Sequence, residues 1–224
     1  MGRRETIQAE IQARGIQYLL HFTNKDNLPG IVEHGILSRN RLNELNLDAW
    51  GSREERLDGN DGATSVSIMH SDLKMFEAKR WAQPGVEWIY LVLDPSILWG
   101  LECHFHASNA ASNNARRVSH RAGSTTAFLK LFEDWQEYGL DLKLRSHREA
   151  HSIPDFLSTD PSAEVQVFDD IPPGCILGAL VEREELAHSV QAELNRLEGH
   201  ERTVWLGPLR DLLSQNCPIW DNRR

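Results

Sequence analysis

The feature that most constrains the fold of this chain is a strand pattern near its middle. Residues 86–98, VEWIYLVLDPSIL, form the clearest strand pattern in the sequence, and Asp94-Pro95 ends it. Shorter β-type patterns occur on both sides, and they predict strands over 16–23, over 64–68 and twice within 163–182. The sequence therefore predicts a core that is built on β-structure.

Helical patterns separate these strands at irregular intervals. Helices are predicted at 6–15, 24–35, 71–82, 127–135 and 183–197. Residues 39–63 are predicted to be a long surface connection, and residues 104–125 a surface loop or marginal helix. Because strands and helices do not alternate regularly, the sequence favours the α+β class over a doubly wound fold.

Length and composition are those of an ordinary folded domain. The 224 residues, of which 40% are hydrophobic and 25% charged, predict a single domain over 1–224. No apolar stretch is long enough to span a membrane, and no basic-then-apolar leader is present. Three scattered cysteines without a C-x-x-C pair indicate neither a disulfide framework nor a zinc ribbon. We therefore expect a cytoplasmic protein with reduced thiols.

The net charge of −9 argues against indiscriminate nucleic-acid binding, which usually needs a basic surface. Only the segment 104–148 departs clearly from this acidic balance. Its positive residues are Arg116, Arg117, Arg121, Lys130, Lys143, Arg145 and Arg148, against Glu133, Asp134, Glu137 and Asp141. A nucleic-acid partner would have to bind at such a local patch, and the alternative is that these arginines simply solvate a loop.

Several catalytic and metal-binding motifs are missing from the sequence. It has no Gly-x-Gly-x-x-Gly after a strand, no Walker loop and no Gly-x-Ser-x-Gly elbow. Cys103, His104 and His106 form a C-H-x-H cluster, but no second pair stands at ligand spacing, so we predict no metal site. Asp169 and Asp170 precede Ile-Pro-Pro-Gly and are predicted to serve a turn rather than acid–base chemistry.

Three polar residues are left as candidates for chemistry. His21 closes the strand 16–23 just before a helix, and periodicity alone favours a core histidine over a ligand. Glu164 opens a later strand, where a carboxylate is usually a solvated edge charge but can also point into a cleft. Arg56 lies in a loop with other arginines and could grip a phosphate through two parallel hydrogen bonds.

The order and spacing of two motifs resemble a known enzyme family. HFTNKDNLPGIVEHGIL, residues 21–37, resembles the N-terminal motif of the DarT toxins, bacterial enzymes that ADP-ribosylate bases in single-stranded DNA. AEVQVFDDIPPGCI, residues 163–176, is similar to the family segment that carries the catalytic glutamate, which maps to Glu164. The resemblance spans residues 16–182. It implies the α+β ADP-ribosyltransferase fold, in which NAD lies in a cleft between two β-sheets, and it implies no metal.

The resemblance also implies which residues bind NAD. His21 would bind the ribose on the nicotinamide side, and Thr23 would orient the adenosine half or the turn beneath it. Asn24 and Asn27 would contact the adenine side.

The remaining implied roles belong to the centre of the NAD molecule. Arg56 would bind the pyrophosphate, with Arg53 as the alternative in the same loop, and Tyr90 or Phe76 would stack on nicotinamide. Glu164 would stabilise the positive charge that forms on the ribose as nicotinamide leaves, hold the 2′-hydroxyl and accept a proton from the attacking base.

The acceptor that the resemblance implies is a base in single-stranded DNA, which needs no flipping out of a duplex. Ser162 stands two residues before Glu164, where many protein-modifying relatives have Gln or Glu, and this departure also suits a nucleobase acceptor. The expected DNA-binding residues are Arg116, Arg117, His120 and Arg121.

The segment SVSIMHSDLKMF, residues 65–76, resembles the guanine-directed branch of the family, whereas the FNPRSPM-like stretch of the thymine-directed branch is missing. Guanine is therefore the expected base, and thymine, RNA or a protein side chain is the alternative acceptor. A non-catalytic binding module with a structural His21 is a further alternative. The expected partners are NAD, single-stranded DNA and a macrodomain antitoxin of the DarG type, and the expected state is a monomer.

Overall fold

A computed structural model describes residues 2–51, 58–111, 122–138 and 143–213 of the chain. The strands are β1 (Leu19–Asn24), β2 (Thr64–Ile68), β3 (Trp88–Leu93), β4 (Cys103–His106), β5 (Gln136–Tyr138), β6 (Leu144–Ser146), β7 (Glu164–Val167), β8 (Ile176–Val181) and β9 (Thr203–Leu206). The helices are α1 (Arg3–Arg14), α2 (Leu28–His34), α3 (Arg39–Glu44), α4 (Leu73–Ala82), α5 (Ile97–Gly100), α6 (Thr125–Lys130), α7 (His147–Ala150), α8 (Glu184–Leu194) and α9 (Leu209–Leu212).

Most of these strands form one large sheet, in the order β4-β7-β2-β1-β3-β8-β9. Neighbouring strands are antiparallel except β8 and β9, which are parallel. β5 and β6 pair separately as an antiparallel ribbon, which we call the β5–β6 ribbon. A large mixed sheet with irregularly inserted helices is an α+β architecture, which confirms the predicted fold class.

The contact between β1 and β2 divides the large sheet into two parts. β1 pairs with β3 along its whole length of 6 residues. It pairs with β2 only where Leu19 meets Ile68 and where Leu20 meets Ser67. Beyond Leu20 the ladder stops, so β1, β3, β8 and β9 form one part of the sheet and β2, β7 and β4 the other. The gap between the two parts begins at His21.

The motif at the start of the chain folds as a strand that passes directly into a helix. Asn24 ends β1, and its side chain accepts a hydrogen bond from the Asp26 N–H at 3.0 Å, which caps a single 3₁₀ turn before α2. α2 buries Ile31 on its inner face and stops at Gly35, as predicted. Gly35 has a φ of +87°, and a Cβ there would collide with the carbonyl oxygen of Ile171.

Three secondary-structure predictions are wrong in part. α3 lies inside 39–63, the predicted surface connection, because Ser38 caps a short polar helix by accepting from the Arg41 N–H at 3.3 Å. β4 reaches into 104–125, the predicted loop, because its polar residues are paired along β7. The helix predicted at 127–135 is only the short α6, after which the chain turns and extends into β5.

The central strand β3 is buried at every position, in line with its apolar sequence. No helix in the described part of the chain is long and apolar enough to cross a membrane.

Candidate active site

The gap between the two parts of the sheet opens into a cavity of about 690 Å³. This volume is within the range of about 300–1,000 Å³ that ligand-binding clefts have. β1, β2, α2, residues 47–51 and the start of β7 all contribute to its lining. Six of the residues that the sequence predicted for the site line this cavity, namely His21, Thr23, Asn24, Asn27, Tyr90 and Glu164.

The side chain of His21 bridges the gap between the two parts of the sheet. Its Nδ1 atom lies 2.9 Å from the carbonyl oxygen of Ser65 in β2. A carbonyl oxygen can only accept a hydrogen bond, so Nδ1 carries a proton. In the neutral form of the imidazole, Nε2 is then the accepting nitrogen. His21 is half-buried and its ring belongs to the cavity lining, whereas periodicity alone favoured a core position.

Asn27 is the centre of a hydrogen-bond network beside His21. Its Nδ2 donates to Thr23 Oγ1 at 3.0 Å and to the Trp50 carbonyl oxygen at 3.2 Å. The Trp50 N–H donates back to Asn27 Oδ1 at 2.7 Å. Both ends of the Asn27 amide are thus engaged by the protein, so this residue supports the cavity wall. Its contact with the adenine of NAD stays a prediction.

Glu164 reaches the cavity from the other part of the sheet. It is the first residue of β7 and pairs with His106 of β4. Its Oε2 atom accepts a hydrogen bond from the Ala110 N–H at 3.0 Å. The neighbouring Asn109 N–H donates to Ser162 Oγ at 3.2 Å, which ties the same segment to the residues just before β7. The carboxylate of Glu164 is therefore held in a defined orientation.

A buried histidine lies beside Glu164. His106 is only 9% exposed, Gln166 hydrogen-bonds its ring, and its Nε2 has no hydrogen-bond partner in the described part of the chain. Burial lowers the pKa of His106, although the negative charge of Glu164 acts in the opposite direction. The imidazole is therefore neutral at pH 7 and places no positive charge beside Glu164.

Gln166 anchors the segment that leads into β2. Its Nε2 donates to Asp58 Oδ2 at 2.8 Å, and its Oε1 accepts from Asn60 Nδ2 at 3.0 Å. Sequence reasoning missed this network, which fixes Asp58 on the cavity lining. The available signal was a polar residue at a buried position of the apolar run EVQVF.

Aromatic rings form the apolar side of the cavity. Phe22, Trp50, Trp88 and Tyr90 belong to the lining, and the Trp50 and Trp88 rings meet edge to face at 5.2 Å. Phe76 is fully buried behind Tyr90, with ring centroids 4.9 Å apart, and it does not line the cavity. The prediction that Phe76 stacks on nicotinamide is therefore wrong. Trp50, which is 37% exposed, was not predicted from the sequence.

Polar and charged groups surround these rings. The Tyr90 hydroxyl is 2.9 Å from Ser71 Oγ, and burial raises the pKa of Tyr90, so the phenol stays neutral. Lys79 Nζ lies 5.5 Å from the Trp88 ring centroid, and both Lys79 and Arg39 belong to the cavity lining. These two positive charges lie among five carboxylates of the lining, which belong to Asp26, Asp48, Asp58, Asp72 and Glu164.

Several predicted site residues lie outside the described part of the chain. These are Arg53, Arg56, Arg116, Arg117, His120 and Arg121. The C-H-x-H cluster is described, and its side chains are engaged separately. Cys103 Sγ donates to the Ile97 carbonyl oxygen at 3.4 Å, and the His104 ring packs on Phe168 with centroids 4.4 Å apart. Burial raises the pKa of Cys103 to about 12.

The fold and the cavity have counterparts among known proteins. A family model described as "DarT: ssDNA thymidine ADP-ribosyltransferase, DarT" matches residues 20–208. Thermosipho africanus DarTG in complex with ADP-ribose aligns with a TM-score of 0.52 and 17% identity, over 86% of this chain and 50% of that chain. Thermus sp. 2.9 DarT in complex with NAD+ aligns with a TM-score of 0.50 and 15% identity, over 85% of this chain and 95% of that chain. No curated protein matches the sequence.

A second Thermus sp. 2.9 DarT structure, in complex with ADP-ribosylated ssDNA, aligns with a TM-score of 0.50 and 15% identity, over 86% of this chain and 94% of that chain. The split sheet and its cavity therefore define an ADP-ribosyltransferase fold. Because the family model covers most of the sequence, the chain belongs to the DarT family of ssDNA ADP-ribosyltransferases. It spans half the length of the Thermosipho africanus chain and almost the whole of the Thermus chain.

Proposed function

We propose that this protein is a toxin that transfers ADP-ribose from NAD to a nucleobase of single-stranded DNA and releases nicotinamide. The observation that carries the proposal is the pair of His21 and Glu164, which line one cavity from the two parts of the sheet. Membership in the DarT family supports the reaction class. A Thermus relative of the same fold is bound to NAD+ in one structure and to ADP-ribosylated ssDNA in another.

On the NAD side, His21 holds the ribose next to nicotinamide. With its Nδ1 proton directed at Ser65, its Nε2 can accept a hydrogen bond from a ribose hydroxyl. Thr23 and Asn27 support the adenosine half, and Asn27 does so in part through Trp50. Arg56 binds the pyrophosphate, and Arg53 is the alternative. Both arginines lie outside the described residues.

Glu164 acts in both stages of the transfer. The bond between ribose C1′ and the nicotinamide nitrogen breaks, nicotinamide leaves as a neutral molecule, and positive charge develops on the ribose. The carboxylate, oriented by the Ala110 N–H, stabilises that charge. A nitrogen of the base then attacks C1′, and the proton that it loses passes to Glu164. The neutral His106 beside it adds no positive charge that would compete with the developing cation for the carboxylate.

Single-stranded DNA binds along the segment that contains Arg116, Arg117, His120 and Arg121, through phosphate contacts and stacking. We assign guanine as the acceptor on the basis of the segment 65–76, of which Ser65, Ser67, Ser71, Asp72 and Met75 line the cavity. The description of the family model names thymidine, which favours thymine as the alternative. The first experiment should therefore identify the modified base.

The proposal extends to the setting of the enzyme. Residues 1–224 form one ADP-ribosyltransferase domain that works as a monomer in the cytoplasm, where NAD and DNA occur together. Its partner is a macrodomain antitoxin of the DarG type. The Thermosipho africanus relative, described as DarTG, supports this pairing.

The test is mass spectrometry of nucleosides from single-stranded oligonucleotides treated with NAD and the purified protein. ADP-ribose on deoxyguanosine supports the whole proposal, and ADP-ribose on thymidine keeps the reaction but replaces the base. Modification of RNA or protein alone overturns the DNA acceptor. No modification of any of these, together with no thermal stabilisation by NAD, overturns the enzyme assignment.

The same assay tests the role of the carboxylate. Glu164→Gln keeps the shape of the side chain but removes its charge, and it should lower the rate by at least about 10²- to 10³-fold. Glu193→Gln is the matched control, because Glu193 of α8 pairs with Arg196 just after that helix and does not line the cavity. A Glu164→Gln protein that keeps the wild-type rate contradicts the mechanism.

A further inference from the structure

Three side chains with metal-binding atoms converge at the β5–β6 ribbon. His147 Nδ1 lies 2.6 Å from Glu137 Oε2, and His151 Nε2 lies 3.0 Å from Glu137 Oε1. One ligand atom from each side chain lies within 4.8 Å of the other two. Over the ranges that the structure describes, no other group of three His, Cys, Asp or Glu side chains meets this criterion. None of the three lines the cavity, so the cluster is separate from the site proposed for the transfer reaction.

Local structure brings the two imidazoles to the same side. His147 begins α7, and the His151 N–H donates to the His147 carbonyl oxygen at 3.0 Å, which closes one helical turn. Residues four positions apart on such a turn face the same way, and the two rings have centroids 4.4 Å apart. Trp135 stacks on the His147 ring at 4.2 Å and fixes its orientation. Glu137 of β5 then supplies the third ligand.

We propose that Glu137, His147 and His151 bind a divalent transition-metal ion, with zinc as the best fit. Two imidazole nitrogens and a carboxylate oxygen are a ligand set that zinc accepts, with metal–ligand bonds of about 2.0–2.2 Å. Tetrahedral bonds of that length separate ligand atoms by roughly 3.3 Å. The two nitrogens lie 2.6 and 3.0 Å from different oxygens of Glu137, so the side chains have to shift before all three ligand atoms lie at that spacing. The His151 side chain is 56% exposed, so water can complete the coordination.

The positive side chain nearest in sequence to the two histidines points away from the proposed metal site. Arg148 stands between the two histidines, but its guanidinium donates to the carbonyl oxygens of Leu157 and Pro154 at 3.1 and 2.7 Å. It also donates to Thr159 Oγ1 at 2.7 Å. α7 is therefore tied to residues 154–159, which lead towards β7.

Two consequences follow for an ion at this position. It would clamp the β5–β6 ribbon to α7, and through Arg148 it would stabilise the segment that precedes Glu164.

The affinity of the cluster for a cation is reduced by a nearby positive charge. Arg145 stands opposite Glu137 in the ribbon register, and its charge repels a cation. The ion is structural, it takes no part in the transfer reaction, and the inference does not depend on the proposed function.

The test is calorimetric titration of the full-length, EDTA-treated protein with Zn²⁺, together with its thermal unfolding with and without the ion. We expect one Zn²⁺ per chain and a higher Tm in its presence, because an ion that binds only the folded state stabilises it. Co²⁺ in place of Zn²⁺ should give the visible absorption bands of a tetrahedral site. A wild-type protein that binds no zinc overturns the proposal and leaves a carboxylate hydrogen-bonded by two imidazoles.

Variants locate the site. His151→Ala removes a largely exposed ligand with little effect on packing, and it should weaken zinc binding at least tenfold and abolish the shift in Tm. His147→Ala should do the same, although it also removes the ring that Trp135 stacks on. His188→Ala, which removes an exposed histidine from α8, should bind zinc as the wild type does. Wild-type affinity in His151→Ala, or equal loss in His188→Ala, overturns the assignment.

Discussion

The side-chain amide of Asn27 holds the backbone of Trp50 by two hydrogen bonds, one in each direction, at 2.7 and 3.2 Å. The two residues are 23 positions apart in the chain. Held in this way, the Trp50 ring stands edge to face against Trp88 on the cavity lining. The turn between β1 and α2 therefore sets the position of an aromatic side chain that belongs to a different segment.

Replacement of Asn27 by Ala should weaken NAD binding more than it slows the chemical step. The change removes both bonds to Trp50 and the bond to Thr23, and each hydrogen bond contributes about 0.5–1.5 kcal/mol. We expect the free energy of unfolding to fall by about 1.5–4.5 kcal/mol and KM for NAD to rise with little change in kcat. Urea unfolding and steady-state kinetics measure the two effects.

The control for Asn27 is Asn43→Ala, which changes an exposed asparagine on α3. It should leave both quantities near the wild-type values. An Asn27→Ala protein with an unchanged KM would show that the position of Trp50 does not matter for NAD.

Two substitutions of His21 should separate its structural bond from its bond to NAD. Asn at this position places its Nδ2 near the former Nδ1, so it can still donate to the Ser65 carbonyl oxygen, but it has nothing at the Nε2 position. His21→Asn should keep the stability of the wild type and bind NAD about 2- to 10-fold more weakly. His21→Ala should lose both the hydrogen bond to Ser65 and the hydrogen bond to NAD, so it should be less stable and bind NAD more weakly. Equal NAD affinity in His21→Asn and the wild type would exclude Nε2 as a ligand.

The stability of the protein should fall as the pH drops below about 6.5. Burial lowers the pKa of His106, so the unfolded chain takes up a proton at a pH where the folded state does not. The pKa values of His70 and His104 are lowered for the same reason. Each such histidine contributes a slope of at most about 1.4 kcal/mol per pH unit, and this slope vanishes at higher pH, where both states are neutral.

Urea unfolding between pH 5.5 and 7.5 measures this slope. His106→Gln should make it shallower, whatever its effect on absolute stability, whereas His188→Gln on the surface should not. A slope that is the same in the wild type and in His106→Gln would contradict the neutral, buried state of His106.

Two glycines near the same helix should respond to alanine in opposite directions. Gly35→Ala forces a side chain into a backbone with a φ of +87° and against the Ile171 carbonyl oxygen, so we expect a loss of at least about 2 kcal/mol. Gly30 lies within α2 with open space around it, so Gly30→Ala should stabilise by about 0.5–1 kcal/mol. Chemical denaturation measures the stability of the two variants. A Gly35→Ala protein as stable as the wild type would contradict the expected backbone strain.

The elements that the sequence predicted well are those with a strong local signal. β3 is a continuous apolar run, and α2 ends at a glycine that the backbone requires. α3 was missed because Arg39–Glu44 has no apolar face, and its stability comes from a cap and from ion pairs such as Arg41 with Asp170. β4 was missed because His104 and His106 mask a strand whose burial depends on pairing with β7.

Some residues of the candidate site could be predicted from the sequence, but its geometry could not. His21 and Glu164 stand out by motif, yet nothing local reveals that β1 and β7 approach the cavity from opposite parts of one sheet. The Asn27–Trp50 bonds and the burial of Phe76 depend on tertiary packing, and sequence patterns do not report it. Phe76 was therefore overestimated as a ligand, and Trp50 was not considered.

The ladder between β1 and β2 has only two residue pairs, and a longer ladder would stabilise the sheet but close the cavity. A third residue pair would place His21 opposite Val66 and bring the two strands to the ordinary sheet spacing of about 4.8 Å. The sheet would gain hydrogen bonds, and the cavity between its two parts would be filled by its own backbone. Substitutions that make this sheet more regular should therefore be selected against, even where they make the protein more stable.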